Sequence, residues 1–155
     1  MGLKALSRLI SAAPDYETGS WTPTLGVITG VNGNHSYSQQ VGRFIRIGNL
    51  VWAHGRVTLS SLDLSMSGAA AIRGLPFATS NVSGLNGTAT VIGANVVNLN
   101  PAGNYFVMVG RLGPNTDRIE LVEAGDNVPA ASMTVADFGD TTNILATTTY
   151  SIDLA

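Results

Sequence analysis

Beyond Pro14 the sequence reads as an all-β domain, a sandwich or a barrel, and three observations predict it. Apolar residues recur with a period of two, turn-forming Gly, Asn, Pro and Asp fall between the alternating segments, and no repeat of fixed length appears. The last point sets aside β-helices and propellers. A length of 155 residues suits one domain and is too short for two substantial cores and a linker. The expected division is an N-terminal helix over 1–14 and a β-domain over 15–155.

The first element is the exception to the β pattern. Leu3, Leu6, Ile10 and Ala13 are spaced three, four and three residues apart, which puts them on one stripe of a helix that Pro14 stops. Isolated helices shorter than about 12 to 15 residues are marginal in water, so this one needs a partner. Leu3, Leu6 and Ile10 are therefore candidates for an oligomerisation or docking contact, with packing on the helix's own domain as the alternative. Arg8 interrupts the apolar stretch and argues against a cleaved signal peptide.

Strands are expected near 19–28, 42–48, 50–61, 69–75, 88–98, 104–112, 118–123 and 143–154. Gly48 and Asn49 tolerate the positive φ of a two-residue turn, which makes 42–59 a hairpin. Pro114 presets the turn of a second hairpin over 104–123, in which Tyr105, Val107 and Val109 alternate along one arm and Ile119 and Leu121 along the other. The closing segment alternates Ile144, Ala146, Thr148, Tyr150, Ile152 and Leu154 with a mostly hydroxyl-bearing face. Segments 61–68, 76–87 and 124–142 lack a period and read as loops, with a possible helical turn over Met133–Phe138.

Composition narrows the function. Only 12% of residues are charged, about half the roughly 25% usual for soluble domains, and Lys4 is the single lysine beside seven arginines. Such a surface fits a protein that covers much of its exterior with copies of itself or with another assembly. A net charge of −2 supplies no excess of cations for a phosphate backbone, so no nucleic-acid partner is expected. The absence of cysteine excludes disulfides, zinc ribbons and thiol catalysis. No apolar run approaches the roughly 18 to 20 residues of a membrane helix, so no membrane insertion is expected.

A search for chemistry points away from an enzyme. A glycosidase needs two carboxyl groups roughly 5 to 10 Å apart, and Asp137 with Asp140 is the best pair on offer. Both fall in a turn-rich stretch, where Asp ordinarily bonds its own backbone. Glu120 and Glu123 alternate to opposite faces of a strand. His35 and His54 are the only histidines, with no serine elbow and no metal-ligand spacing around them. No catalytic residue, metal or cofactor is expected.

One surface does stand out. Along 50–59, Val51, Ala53, Gly55 and Val57 point one way and leave Trp52, His54, Arg56 and Thr58 on the other. Trp52, His54 and Arg56 are poor core and good contact surface, because Trp and Arg are enriched at interfaces and Trp also stacks on sugar rings. Subunit contact is the leading reading of that face, with an ordinary packed sheet face and a ligand surface as alternatives.

The stretches Tyr16-Glu-Thr-Gly-Ser-Trp-Thr-Pro-Thr-Leu25, Ser38-Gln-Gln-Val-Gly-Arg-Phe-Ile-Arg-Ile-Gly-Asn-Leu-Val51 and Ile72-Arg-Gly-Leu-Pro-Phe77 together resemble the C-terminal head domain of bacteriophage tail fibres and tailspikes. The resemblance covers residues 16–77 and rests on Trp21, Pro23, Gly42, Ile47, Gly48, Asn49, Gly74, Leu75, Pro76 and Phe77. It implies a jelly-roll-like β-sandwich that assembles as a homotrimer at the tip of a virion appendage. The implied partners are other virion structural proteins and a host cell-surface polysaccharide. Only fifteen residues precede the matching motifs, so neither a fibrous shaft nor an enzymatic β-helix is expected within this sequence. A decorating trimer on capsid or tail, and a stand-alone carbohydrate-binding lectin module, are the alternatives.

Overall fold

The structure, a computed structural model, describes residues 15–82, 87–94, 99 and 105–153. Its strands are β1 (Tyr16–Trp21), β2 (Thr24–Val27), β3 (Ser36–Ile47), β4 (Leu50–Ser61), β5 (Ala70–Arg73), β6 (Gly87–Ala94), β7 (Tyr105–Leu112), β8 (Arg118–Gly125), β9 (Ala131–Ser132) and β10 (Asn143–Ser151). All of their pairings are antiparallel. The fold is therefore all-β, with a single 3-10 turn at Val135–Asp137 as the remaining regular element among the described residues. The helix expected over 1–14, with Leu3, Leu6 and Ile10, lies outside the described residues, as does Leu154.

Where one strand is expected over 19–28, there are two. Pro23 has no N–H to give to a ladder, and the chain changes pairing partner across Thr22-Pro23, from β3 on one side to β5 on the other. The sheet order is β1-β3-β4-β10-β6-β7-β8-β5-β2, so the two halves of that segment are the two ends of the sheet. Three Cα steps of 3.80 Å limit the gap between Trp21 and Thr24 to about 11 Å. The sheet must therefore curl until its first and last strands meet, and the apolar side chains of every long strand turn into one core.

Two aromatic side chains from the front of the sequence seat that core. Trp21 is 8% exposed and lies across Gly42 and Gly55, which stand beside it in register on β3 and β4. A Cβ at Gly42 would come within 2.4 Å of the indole Nε1, and one at Gly55 within 2.5 Å of its ring carbon Cζ2. Both glycines are required by this close approach, and the indole N–H reaches the His54 carbonyl oxygen at 3.2 Å. Phe44 meets Phe77 edge to face at 5.3 Å, and the buried Tyr150 hydroxyl donates to the Phe77 carbonyl at 3.1 Å. The motif residues Trp21, Gly42 and Phe77 thus line one contiguous region of the core.

Other expectations shift in detail. β3 begins at Ser36 rather than 42, because Ser38 sits at a bulge that breaks the alternation. The Tyr37 hydroxyl and the Gln40 side-chain amide in that stretch donate to the carbonyls of Leu25 and Pro23. Along β7 the buried positions are Met108, Gly110 and Leu112, while Val107 is exposed; a register shift between Tyr105 and Val107 resets the strand. Ile119 to Glu123 of β8 are all buried, so that strand is covered on both faces and does not alternate. Part of the expected loop 124–142 is ordered against β8, through Met133 N–H to the Leu121 carbonyl and the short β9 pairing.

Candidate functional site

The second face of β4 is built by the strand itself. Val51, Ala53, Gly55, Val57 and Leu59 are buried, and the residues between them emerge on the outside of the curl. Neighbouring strands extend this outer face in register, so that side chains form rows across β1, β3, β4, β10 and β6. From the Gly48-Asn49 turn inward, the first row holds Tyr16, Ile47, Leu50 and Ser151. The second holds Thr18, Ile45, Trp52 and Thr149. The third holds Ser20, Arg43, His54, Thr147 and Thr90. The fourth holds Val41, Arg56, Leu145 and Ile92.

Two chemistries divide these rows. At the turn end, Tyr16, Ile45, Ile47, Leu50 and Trp52 form a cluster of large exposed apolar side chains, with Tyr16 at 68% and Trp52 at 40% exposure. Behind it stand two guanidiniums and an imidazole among hydroxyls. His54 stacks on Trp52 with ring centres 6.1 Å apart and planes 9° from parallel, and its Nδ1 lies 2.9 Å from the Thr147 hydroxyl. Arg56 donates through Nε to the Asn143 side-chain oxygen at 3.0 Å, and Arg43 stands directly opposite His54. No residue of these four rows carries a carboxylate.

Trp52, His54 and Arg56, singled out from alternation, therefore come together on one surface as their spacing implies. Arg43, Ile45, Tyr16, Leu50 and the threonines of β6 and β10 belong to the same surface and were not found from sequence. The pairing across Gly48-Asn49 carries enough signal to find the β3 residues; the hydroxyl face of β10 is legible locally, but its place beside β4 and β6 is not.

Asp137 and Asp140, the best carboxyl pair on offer in the sequence, accept hydrogen bonds from backbone amides. Asp137 accepts from the Thr134 N–H at 2.6 Å, and Asp140 accepts from the Leu62 N–H at 2.8 Å. Asp63 accepts from the Ser65 and Asn34 amides, and those hydrogen bonds hold its carboxyl below the ordinary value. Ser80 and the Asn81 amide do the same to Asp153. His35 accepts the Asp63 N–H at its Nδ1, and partial burial lowers its pKa. Glu120 is paired with Arg111 at 2.7 Å. Among the described residues no group of three or more His, Asp or Glu side chains is placed to hold a metal ion.

No family model and no curated protein matches the sequence. Among solved structures the chain is similar to the crystal structure of the Dettilon tailspike protein (gp208), with a TM-score of 0.64 and 20% identity over 88% of this chain. The match takes up 24% of the tailspike chain, so this sequence spans about a quarter of that protein's length. What the two share is the fold, an antiparallel β-domain found within a phage tailspike.

Proposed function

We propose that this chain is a structural protein of a phage virion, a homotrimeric head domain of the tail-fibre or tailspike kind that meets the host surface and performs no catalysis. The observation that carries the reading is the apolar cluster of Tyr16, Ile45, Ile47, Leu50 and Trp52, exposed on a chain with only 12% charged residues. Contiguous apolar surface of this kind marks a contact site rather than a solvated face. Aromatic anchors flanked by branched aliphatics are the usual centre of such contacts. In this reading the cluster packs subunit against subunit, and the three chains adopt a jelly-roll-like sandwich about the threefold axis.

The fold likeness to a tailspike domain supports a place on the tail, and the resemblance of residues 16–77 to fibre heads supports the same place. Segment 1–14, with Leu3, Leu6 and Ile10 on one stripe, supplies the contact to other virion proteins. A stand-alone lectin module is the second reading, favoured by Trp52 standing among Thr18, Thr149 and His54 on an open sheet face. Gold-labelled antibody against the chain, applied to intact particles, separates these outcomes. Label at the tail tip is the expected result; label over the capsid would support a decorating trimer, and absence of label from particles would support the lectin.

A further inference from the structure

We infer that the third and fourth rows of the outer face form a binding track for an anionic polysaccharide, a chain of carboxylated sugars such as a polyuronate. This rests on the host-attachment reading above and gives it a ligand class and a location. The third row runs perpendicular to the strands and presents one polar side chain per strand: Ser20, Arg43, His54, Thr147 and Thr90. With strands roughly 4.8 Å apart, five side chains span about 19 Å. A row of that length, on an open face rather than in a pocket, fits a linear polymer better than a small ligand.

Charge selects the kind of polymer. Arg43 stands in the row of His54 and Arg56 in the next row, diagonal to each other on β3 and β4, and no carboxylate shares their rows. The three ion pairs of the described structure use Arg46, Arg111 and Arg118, so neither outer-face arginine is neutralised by them. Arg56 is held by Asn143 through Nε alone. A planar guanidinium engages a carboxylate through two parallel hydrogen bonds, which is the geometry a uronate presents. Thr90, Thr147 and Ser20 supply hydroxyls that pair with sugar hydroxyls, and exposed Val41 and Ile92 in the adjacent row offer apolar surface to the C–H faces of the rings.

The same charge distribution argues against a second copy covering this row face to face. Packed face to face, two copies would bring Arg43 and Arg56 against their own kind with no acid between them, and like charges juxtaposed at an interface are strongly disfavoured. The turn-end cluster carries no charge and has no such obstacle. Subunit contact and ligand contact are thereby assigned to adjacent parts of one face. Three tracks on one trimer would add avidity to a contact that is weak singly.

The test is a calorimetric titration of the purified full chain with a polygalacturonate oligosaccharide, a neutral dextran oligosaccharide of equal length and inorganic polyphosphate, with the oligomeric mass recorded on the same samples. The expected result is binding of polygalacturonate that weakens with salt, little binding of dextran, and weaker binding of polyphosphate because it lacks rings for the apolar row. The double variant Arg43→Ala/Arg56→Ala should weaken polygalacturonate binding at least tenfold with unchanged mass and melting temperature. Arg43→Lys should fall between, since it keeps charge and loses the planar fork. Absence of polygalacturonate binding, equal binding of dextran or of polyphosphate, or an unaffected double variant would overturn the proposal. A double variant that changes the oligomeric mass would also overturn it, by assigning the row to subunit contact. A monomeric wild-type chain that binds polygalacturonate would sink the trimer and leave the track standing.

Discussion

The two tryptophans of this chain meet the same residue from opposite sides of one strand pair. Trp21 lies inside the curl, on the floor made by Gly42 and Gly55, and holds the His54 backbone carbonyl. Trp52 stands outside, parallel to the His54 ring, with two fifths of its surface exposed. The first has a site built to its shape by two glycines; the second has neighbours but no cover. The difference separates a side chain that the fold needs from one that the fold merely displays, and an aromatic displayed among other apolar side chains is available to another molecule.

That contrast can be broken most directly by deletion. Trp21→Ala should destabilise the domain by about 3–5 kcal/mol, the range for emptying a large aromatic from a packed core, and chemical denaturation measures it. Trp52→Ala should change the stability of the separated chain by less than about 0.5 kcal/mol, as exposed substitutions do, while weakening association. Equal losses at the two sites would show that the outer face is a structural part of the single chain. Gly55→Ala tests the floor rather than the ring: its new methyl would stand 2.5 Å from Trp21, and overpacking of that kind costs about 1–3 kcal/mol. Tyr150→Phe removes one buried hydroxyl from the Phe77 carbonyl and should cost about 0.5–1.5 kcal/mol, read from the same denaturation curves.

The smallest expected effect is a dependence on acid. Asp63 and Asp153 have folded-state pKa values held below the ordinary 3.8, so each contributes stability that is fully present above that value and is lost as pH falls through the depressed one. Melting temperature should therefore hold steady from neutrality down to about pH 4 and fall below it. Asp63→Asn combined with Asp153→Asn should flatten that fall. A double variant as acid-sensitive as the parent would place the lost carboxylates elsewhere.

Much of this was written locally in the sequence. The alternation of 50–59 put Trp52, His54 and Arg56 on one face, and the Gly48-Asn49 turn, with a φ of 59° at Gly48, delivers the hairpin it implies. That two-residue turn also fixes register: Ile47 must face Leu50, so Ile45 faces Trp52 and Arg43 faces His54. The β3 half of the face could be counted off in this way. The β10 and β6 half could not, because Thr147 reaches His54, and Thr90 reaches Thr147, from far along the chain, and no local pattern encodes such pairings. The break at Thr22-Pro23 is half legible. Pro23 is a local sign of a break within the one strand expected over 19–28, but only the change of partner from β3 to β5 makes it two strands.

The most direct measurement is the mass of the assembled protein in dilute solution, by multi-angle light scattering, for the wild-type chain and for Trp52→Glu. A carboxylate placed in the turn-end cluster would have to shed its water and interrupt the apolar seam in any packed contact, so it should separate the subunits while leaving each one folded. The expected result is three chain masses for the wild type and one for the variant, with the β-sheet circular dichroism of the two superimposable. A monomeric wild type, or a Trp52→Glu chain that remains trimeric, would contradict the assignment of this face to subunit contact.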